Sequence, residues 1–291
     1  MDNTRTPASF LLGGGMLVNR VGFGAMRLAR NGMDTAARDP QTALQVLRRA
    51  VEIGVNHIDT ADFYRSGDGT MRANDLIRQA LSPYPAGLVI ATKVGPIFGP
   101  EGPSQGTAAD IRPMVEANLE ALGVDCLDLV YLRIGMFQPP HGESIAERFE
   151  VLAGLQQEGL IRHLGLSNVD QSHVDEARRI APVVAIQNLY NPGNTDETAL
   201  LKRAADDGIA FVPFGPLGSG RGAPPDQRYM TVARRHGVSV AQVAIAHLLT
   251  LSDSTLAIPG TGSITHLEDN MAARHLALTS EDWSKLSQVA E

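Results

Sequence analysis

Gly22-Phe23-Gly24-Ala25-Met26-Arg27 opens like the glycine-rich turn of a doubly wound nucleotide-binding sheet, and its last residue breaks the likeness. That turn needs a third glycine where strand and helix pack closely, with the helix following at once. Arg27 stands at that position, and no helical pattern follows directly. The rest of the chain then decides the fold. Short apolar runs at 21–24, 57–59, 89–92, 127–132, 161–166, 183–187, 210–213 and 256–258 alternate with amphipathic runs. Most are apolar throughout, as parallel strands covered on both faces are. Eight such strands with helices between them, over about 250 residues, predict an α/β fold of the (β/α)8 TIM-barrel type.

The helical runs carry their own punctuation. Residues 40–53 begin at Pro40 and place Leu44, Leu47, Ala50 and Val51 at helical spacing. Runs 108–122, 144–158 and 199–207 each stop at a glycine, Gly123, Gly159 and Gly208. Ser167-Asn168 and Asp170 supply start signals for 174–180, and 240–250 and 280–289 add helices near the C-terminus. Before the first barrel strand, Phe10-Leu11-Leu12 and Met16-Leu17-Val18 flank Gly13-Gly14-Gly15, which predicts an N-terminal β-hairpin plugging the barrel bottom. Residues 95–107 and 215–225 are rich in glycine and proline without a period, so they read as loops. No linker or repeat interrupts residues 1–291, which read as one barrel domain.

Composition excludes several function classes. A net charge of -7 with no clustered basic stripe argues against a nucleic-acid partner. Hydrophobic content of 43% is enough for a core, yet no run approaches the ~18 apolar residues of a membrane helix. Asp2, Arg5 and Pro7 followed only by Phe10-Leu11-Leu12 do not make a signal peptide. Cys126 is the single cysteine, so no internal disulfide forms and a reducing, cytoplasmic setting is expected. His141, His163, His173 and His236 are scattered without metal-ligand spacing, and His57 at a strand start reads as a core residue, so no metal is expected. No obligate protein partner is evident.

In a barrel of this type the chemistry sits at the C-terminal strand ends. Those ends carry Gly24, Asp59, Lys93, Arg133, Ser167-Asn168, Gln187, Phe214 and Gly260-Thr261, and Tyr64 follows Asp59 closely. Singly, each has a plainer explanation. Asp59 can cap a turn, Tyr64 can anchor a loop, Lys93 can snorkel, and Arg133 can pair with Asp128 or a loop carboxylate. Together they point to carbonyl chemistry. A tyrosine ordinarily holds its proton to about pH 10. A cationic lysine beside it stabilises the phenolate left behind and makes it a readier donor near neutral pH.

The whole chain resembles the aldo-keto reductases. The matching segments are Gly22-Phe23-Gly24-Ala25-Met26, His57-Ile58-Asp59-Thr60-Ala61, Tyr64, Thr92-Lys93, Gly165-Leu166-Ser167-Asn168, Gln187-Asn188, Pro213-Phe214-Gly215-Pro216-Leu217, Ile258-Pro259-Gly260-Thr261 and Glu268-Asp269-Asn270. The resemblance implies NADPH-dependent reduction of a small-molecule carbonyl substrate, with Tyr64 as proton donor, Lys93 tuning it and Asp59 orienting Lys93. It implies that Gly24, Ala25, Met26 and Asp59 lie along the cofactor. Ser167, Asn168 and Gln187 hold the nicotinamide carboxamide, and Phe214 stacks on the ring. Gly215, Leu217 and Ser219 follow the pyrophosphate with Gly260. Thr261, His266, Asp269 and Asn270 take the adenosine end.

Two departures from the family pattern stand out. Arg133 falls where most members have histidine. It offers a fork of donors but does not shuttle protons at neutral pH, so it suits an alkoxide or a phenolate oxygen. Gly260 and His266 stand where lysine and arginine are common, which leaves Thr261, Ser263 and His266 as phosphate ligands; NADPH is favoured over NADH. The Leu132-Arg133-Ile134 segment is most similar to the bacterial pyridoxal reductase branch, and pyridoxal carries a phenolate beside its aldehyde. Two other readings compete: a cofactor-binding regulatory member of the same fold without catalysis, and a barrel enzyme forming a Schiff base on Lys93. The intact Asp59, Tyr64 and Lys93 set favours reduction.

Overall fold

The computed structural model describes residues 7–30, 37–99, 101–135, 142–218 and 226–287. An antiparallel hairpin comes first, β1 (Ser9–Leu12) and β2 (Met16–Asn19), turned at Gly13-Gly14 as expected. Then follow β3 (Phe23–Gly24), α1 (Met26–Ala29), α2 (Pro40–Glu52), β4 (His57–Asp59), α3 (Ala73–Leu81) and β5 (Val89–Val94). A second hairpin, β6 (Pro96–Gly99) and β7 (Gly102–Gln105), precedes α4 (Ala108–Leu122), β8 (Leu127–Arg133), α5 (Ala146–Gln157) and β9 (Ile161–Ser167). The chain continues through α6 (Gln171–Ile180), β10 (Val183–Gln187), α7 (Thr198–Asp206) and β11 (Ala210–Phe211). Four helices finish it: α8 (Gln227–His236), α9 (Val240–Thr250), α10 (Ile264–Ala272) and α11 (Ser280–Leu286).

A parallel sheet in the order β11-β10-β9-β8-β5-β4-β3 curls until its edges meet the segment around Leu256. Phe211 bridges Thr255 on one side and Val21 bridges Ala257 on the other, both parallel. The bonds Leu256 N to Phe211 O (2.9 Å) and Gly22 N to Ala257 O (2.8 Å) complete the closure. The expected eighth strand is therefore real as a seam but shrinks to isolated bridges. Arg20 locks it. Its buried guanidinium donates to Thr255 O (3.1 Å), to Leu249 O (2.7 Å) and to Ser252 O, satisfying carbonyls at the end of α9.

Strand parity sorts the core. Ile58, Ile90, Val130, Leu132, Leu164, Leu166 and Ile186 face outward onto Leu44, Leu47, Leu76, Ile77, Phe149, Leu152 and Leu155 of the helices. Val89, Ala91, Leu129, Tyr131, Ala185, Ala210 and Val212 fill the barrel interior, where Leu12, Met16 and Val18 of the hairpin pack against them. Each fully buried large aliphatic side chain contributes about 1.5–3 kcal/mol. The period of two carries Lys93 to the interior above Ala91 and Arg133 above Tyr131, at the C-terminal mouth.

Four elements differ from the sequence expectation. A one-turn helix, α1, does follow Gly24, though it is too short to be the crossover helix a doubly wound sheet needs. Helix α3 has no capping side chain at Arg72 to mark it. Helix α8 was not expected before Arg235. The segment expected as irregular loop at 95–107 contains the ordered hairpin β6–β7.

His57 lies fully buried in the interior, and neither ring nitrogen has a partner among the described residues. A Cβ on Gly22 would meet the His57 carbonyl at 2.6 Å, so only glycine lets these strands approach. Burial pushes the His57 imidazole down to about 4, with Asp59 opposing and Lys93 adding. Burial likewise lowers His247 to about 4, and its Nδ1 meets the Tyr229 hydroxyl at 2.6 Å. Both folded values lie below the ordinary 6.5, so the unfolded chain binds more protons in that window. Stability is thus fully present above about pH 6.5 and falls as pH drops toward 4. We expect urea unfolding to show this slope and His57→Leu to flatten it; an unchanged slope would remove His57 as its source.

Candidate active site

Asp59 and Lys93, on adjacent strands, are 2% and 1% exposed, which makes them a buried ion pair at the barrel mouth. Lys93 Nζ donates to Asp59 Oδ1 at 2.6 Å and to Thr60 O at 2.9 Å. The other carboxylate oxygen, Oδ2, accepts from Gln187 Nε2 at 2.7 Å. With both oxygens engaged, Asp59 fixes the position of the ammonium. That ammonium lies 4.8 Å from the centroid of the Tyr64 ring and 6.0 Å from that of Tyr131. Tyr64 sits half-buried in a turn held by Tyr64 N to Ala61 O and Ala73 N to Tyr64 O. Tyr131 is fully buried, and burial, reinforced by Asp59, raises its phenol well above the usual range.

Arg133 ends β8 and faces the same mouth. Its Nη1 donates to Ser167 Oγ at 2.9 Å, and its guanidinium carbon stands 4.8 Å from the Phe214 ring centroid. Burial lowers its affinity for its proton somewhat, with Tyr64 and Asp59 opposing. The alternative pairing with Asp128 is overturned: Asp128 meets Arg162 at 3.3 Å and accepts from Ile90 N at 3.0 Å. Gln105, which the sequence reading passed over, brackets the Arg133 backbone. Its Nε2 donates to Arg133 O (3.1 Å) and its Oε1 accepts from Gly135 N (3.0 Å).

Ser167, Asn168 and Gln187 lie together where β9 and β10 end. Asn168 adopts a left-handed backbone, φ 61, the only such non-glycine among the described residues. Its amide donates to Ile134 O at 2.7 Å and its N–H to Gln187 O at 2.9 Å, which over-determines this sparsely populated conformation. Gln187 Oε1 is a buried acceptor without a partner among the described residues. A buried, unanswered acceptor suits an amide N–H donor such as a carboxamide. Gly24 and Gly260 face each other across the seam, where a Cβ on Gly260 would lie 2.5 Å from Gly24 O. Ala25 N donates to Asp59 O at 2.8 Å, and Met26 begins α1.

The rest of the expected cofactor set is less uniform. Phe214 N donates to Asn188 O at 2.9 Å, Gly215 is left-handed, and Leu217 is exposed. Ser219 lies outside the described residues. Thr261 is buried and accepts from Ser263 N at 3.1 Å, while Ser263 caps α10. His266 is exposed on that helix and Asn270 buried within it. Asp269 instead accepts from Ser239 Oγ at 2.6 Å, at the start of α9. Arg274 turns to Ile53 O at 3.0 Å, away from this loop. The Arg38 guanidinium occupies the space a Cβ on Gly262 would need, bringing a cation to the loop after the seam that the sequence reading missed. No cluster of metal-binding side chains and no helix long and apolar enough to cross a membrane occurs among the described residues.

Known proteins resemble this chain along nearly its whole length. The Aldo/keto reductase family model matches residues 20–291. A pyridoxine 4-dehydrogenase of Escherichia coli is 44% identical over 288 residues, covering 94% of this chain and 95% of the relative. An uncharacterized oxidoreductase of Schizosaccharomyces pombe is 38% identical, covering 94% and 88%. The crystal structure of an aldo/keto reductase from Klebsiella pneumoniae, in complex with NADP and acetate, superposes with a TM-score of 0.79 at 26% identity, covering 96% of this chain and 94% of that one. Such a match along nearly the whole chain means that it belongs to the aldo/keto reductase family, as an oxidoreductase acting on carbonyl and alcohol groups.

Proposed function

We propose that this protein interconverts an aldehyde and its alcohol with NADPH as hydride donor, and that pyridoxal is its aldehyde. The observation that carries the reading is the buried Lys93–Asp59 pair set 4.8 Å from the Tyr64 ring. The pyridoxine 4-dehydrogenase at 44% identity supports the substrate. The unanswered Gln187 Oε1 fits a nicotinamide carboxamide, with Ser167 and Asn168 beside it and Phe214 offering a ring face. Gly24, Ala25, Met26 and Asp59 would lie along the cofactor, Gly215, Leu217 and Gly260 would follow the pyrophosphate, and Thr261, His266, Asp269 and Asn270 would take the adenosine end. Arg38 beside Gly262 favours the 2′-phosphate, hence NADPH over NADH. When bound, the reduced nicotinamide supplies a hydride to the carbonyl carbon.

The chain's own residues supply the rest. The Tyr64 hydroxyl gives its proton to the carbonyl oxygen, which leaves as the alcohol. The Lys93 ammonium stabilises the phenolate that remains, and solvent returns the proton. Asp59 holds Lys93 in place, and Gln187 holds Asp59. Arg133 does not move a proton; it faces the phenolate oxygen beside the aldehyde of pyridoxal and orients the substrate. In the oxidative direction the same phenolate accepts the alcohol proton.

The test follows NADPH loss by absorbance with pyridoxal beside several small aldehydes. Saturable loss with pyridoxal, and a Michaelis constant for NADPH about tenfold or more below that for NADH, are the expected results. Turnover of other aldehydes but not pyridoxal removes the substrate and keeps the reaction. No NADPH loss with any of the aldehydes removes catalysis and leaves a cofactor-binding protein.

A further inference from the structure

Phe98 projects from β6 with 55% of its surface exposed, and its neighbour Ile97 is 36% exposed. A lone exposed apolar side chain needs no explanation, but this one is not alone. The Phe98 and Phe63 rings lie 5.5 Å apart and tilted by 34°. Phe63 in turn meets Tyr64 edge to face at 5.3 Å, and Tyr64 stands over Lys93. An unbroken run of aromatic rings therefore leads from solvent to the proton-donating phenol.

The hairpin that presents Phe98 is held firmly. It leaves β5 directly after Lys93, pairs Phe98 with Pro103 and Pro96 with Gln105, and closes with Gly106 N to Gly95 O at 2.7 Å. Gly95 N reaches Met114 Sδ at 3.3 Å. Gln105 grips the Arg133 carbonyl and Gly135 N, so the hairpin carrying Phe98 is fastened to the strand end carrying Arg133. The hairpin bearing Phe98 and the backbone that presents Arg133 are thereby held in fixed relation to each other. Such a framework keeps geometry because the loop is built as a paired hairpin.

We propose that Phe98 and Phe63 form a ring-recognition shelf that selects planar aromatic aldehydes, the aldehyde toward Tyr64 and an anionic ring oxygen toward Arg133. This inference rests on the proposed carbonyl reduction and widens its substrate class beyond pyridoxal to ortho-hydroxy aromatic aldehydes. The aromatic face of Phe98 matches another ring by offset or edge stacking, which a short aliphatic aldehyde cannot answer. The aliphatic substrate leaves the shelf in water and gains nothing from it.

The test compares kcat/KM for pyridoxal, 2-hydroxybenzaldehyde and propanal in the wild type, Phe98→Leu and Phe98→Tyr, with melting temperature as the folding control. The aromatic-to-aliphatic ratio should fall about three- to tenfold in Phe98→Leu, through KM, and return in Phe98→Tyr, which restores a ring. A fall shared equally by all three aldehydes, or a ratio that ignores the ring, overturns the shelf. Wild type that reduces 2-hydroxybenzaldehyde but not pyridoxal, with the ratio falling in Phe98→Leu, removes pyridoxal and sustains the shelf. Wild type that reduces propanal with the same kcat/KM as either aromatic aldehyde overturns the shelf and leaves the Tyr64 chemistry standing.

Discussion

Tyr64→Phe is expected to lower kcat for aldehyde reduction by about 10²–10⁴-fold, the contribution of a positioned general acid. The change removes one hydroxyl and keeps the ring, so its packing against Phe63 and its place over Lys93 survive. Cofactor affinity, read from NADPH fluorescence on titration, should stay close to the wild-type value, because the residues assigned to the cofactor are elsewhere. No neighbour can replace the lost proton. Arg133 keeps its charge at neutral pH. The second phenol near Lys93, Tyr131, is fully buried and holds its proton more tightly than an ordinary tyrosine. Turnover within about tenfold of wild type would therefore show that the donor is not Tyr64.

The fold was legible where a sequence signal and its structural cause were local. Gly13-Gly14 turn the first hairpin, and Gly123 ends α4 in a left-handed conformation, its N–H reaching Leu119 O and Glu120 O. Fully apolar strands gave the parallel sheet. Features created by distant pairing were harder to see. The seam strand is defined only by single bridges from Leu256's neighbours to Phe211 and Val21, and no local pattern sets how short it is. Helix α3 lacks a capping side chain at Arg72, so no local start signal sets it apart from the turn after Tyr64. The hairpin at Pro96–Gln105 looked irregular because glycine and proline populate its turn and edges.

The candidate site divides the same way. Residues at strand ends could be placed by counting, because parity and the C-terminal rule fix which side chains face the mouth. Asp59, Lys93, Arg133, Ser167 and Gln187 all converge there in the structure. Side chains that reach in from other elements carry no such signal. Gln105 grips Arg133 across β7 and β8, and Arg38 reaches Gly262 from the segment before α2. Nothing near either in sequence announces its partner. Asp269 likewise has a partner that its sequence neighbours do not announce, the Ser239 hydroxyl at the start of α9, which donates to it at 2.6 Å.

Lys93→Met should be costly twice, and the two costs can be separated. The substitution keeps most of the side-chain volume but leaves Asp59 as an unpaired buried carboxylate. Breaking a buried pair from one side costs about 3–5 kcal/mol, mostly the penalty of the charge left behind. Urea unfolding should register that loss. Turnover should also collapse, because the phenolate formed on Tyr64 no longer faces a cation 4.8 Å from its ring. Adding Asp59→Asn neutralises the stranded charge. The double variant should regain most of the lost stability, since replacing a whole buried pair by neutral groups is often close to neutral. It should not regain turnover, because the cation is still missing. This asymmetry distinguishes catalysis from architecture. A pair that merely braced the barrel would restore both stability and activity together when the second charge is removed. A Lys93→Met protein as stable as wild type would mean that the 2.6 Å contact between Lys93 and Asp59 is not a buried ion pair in solution.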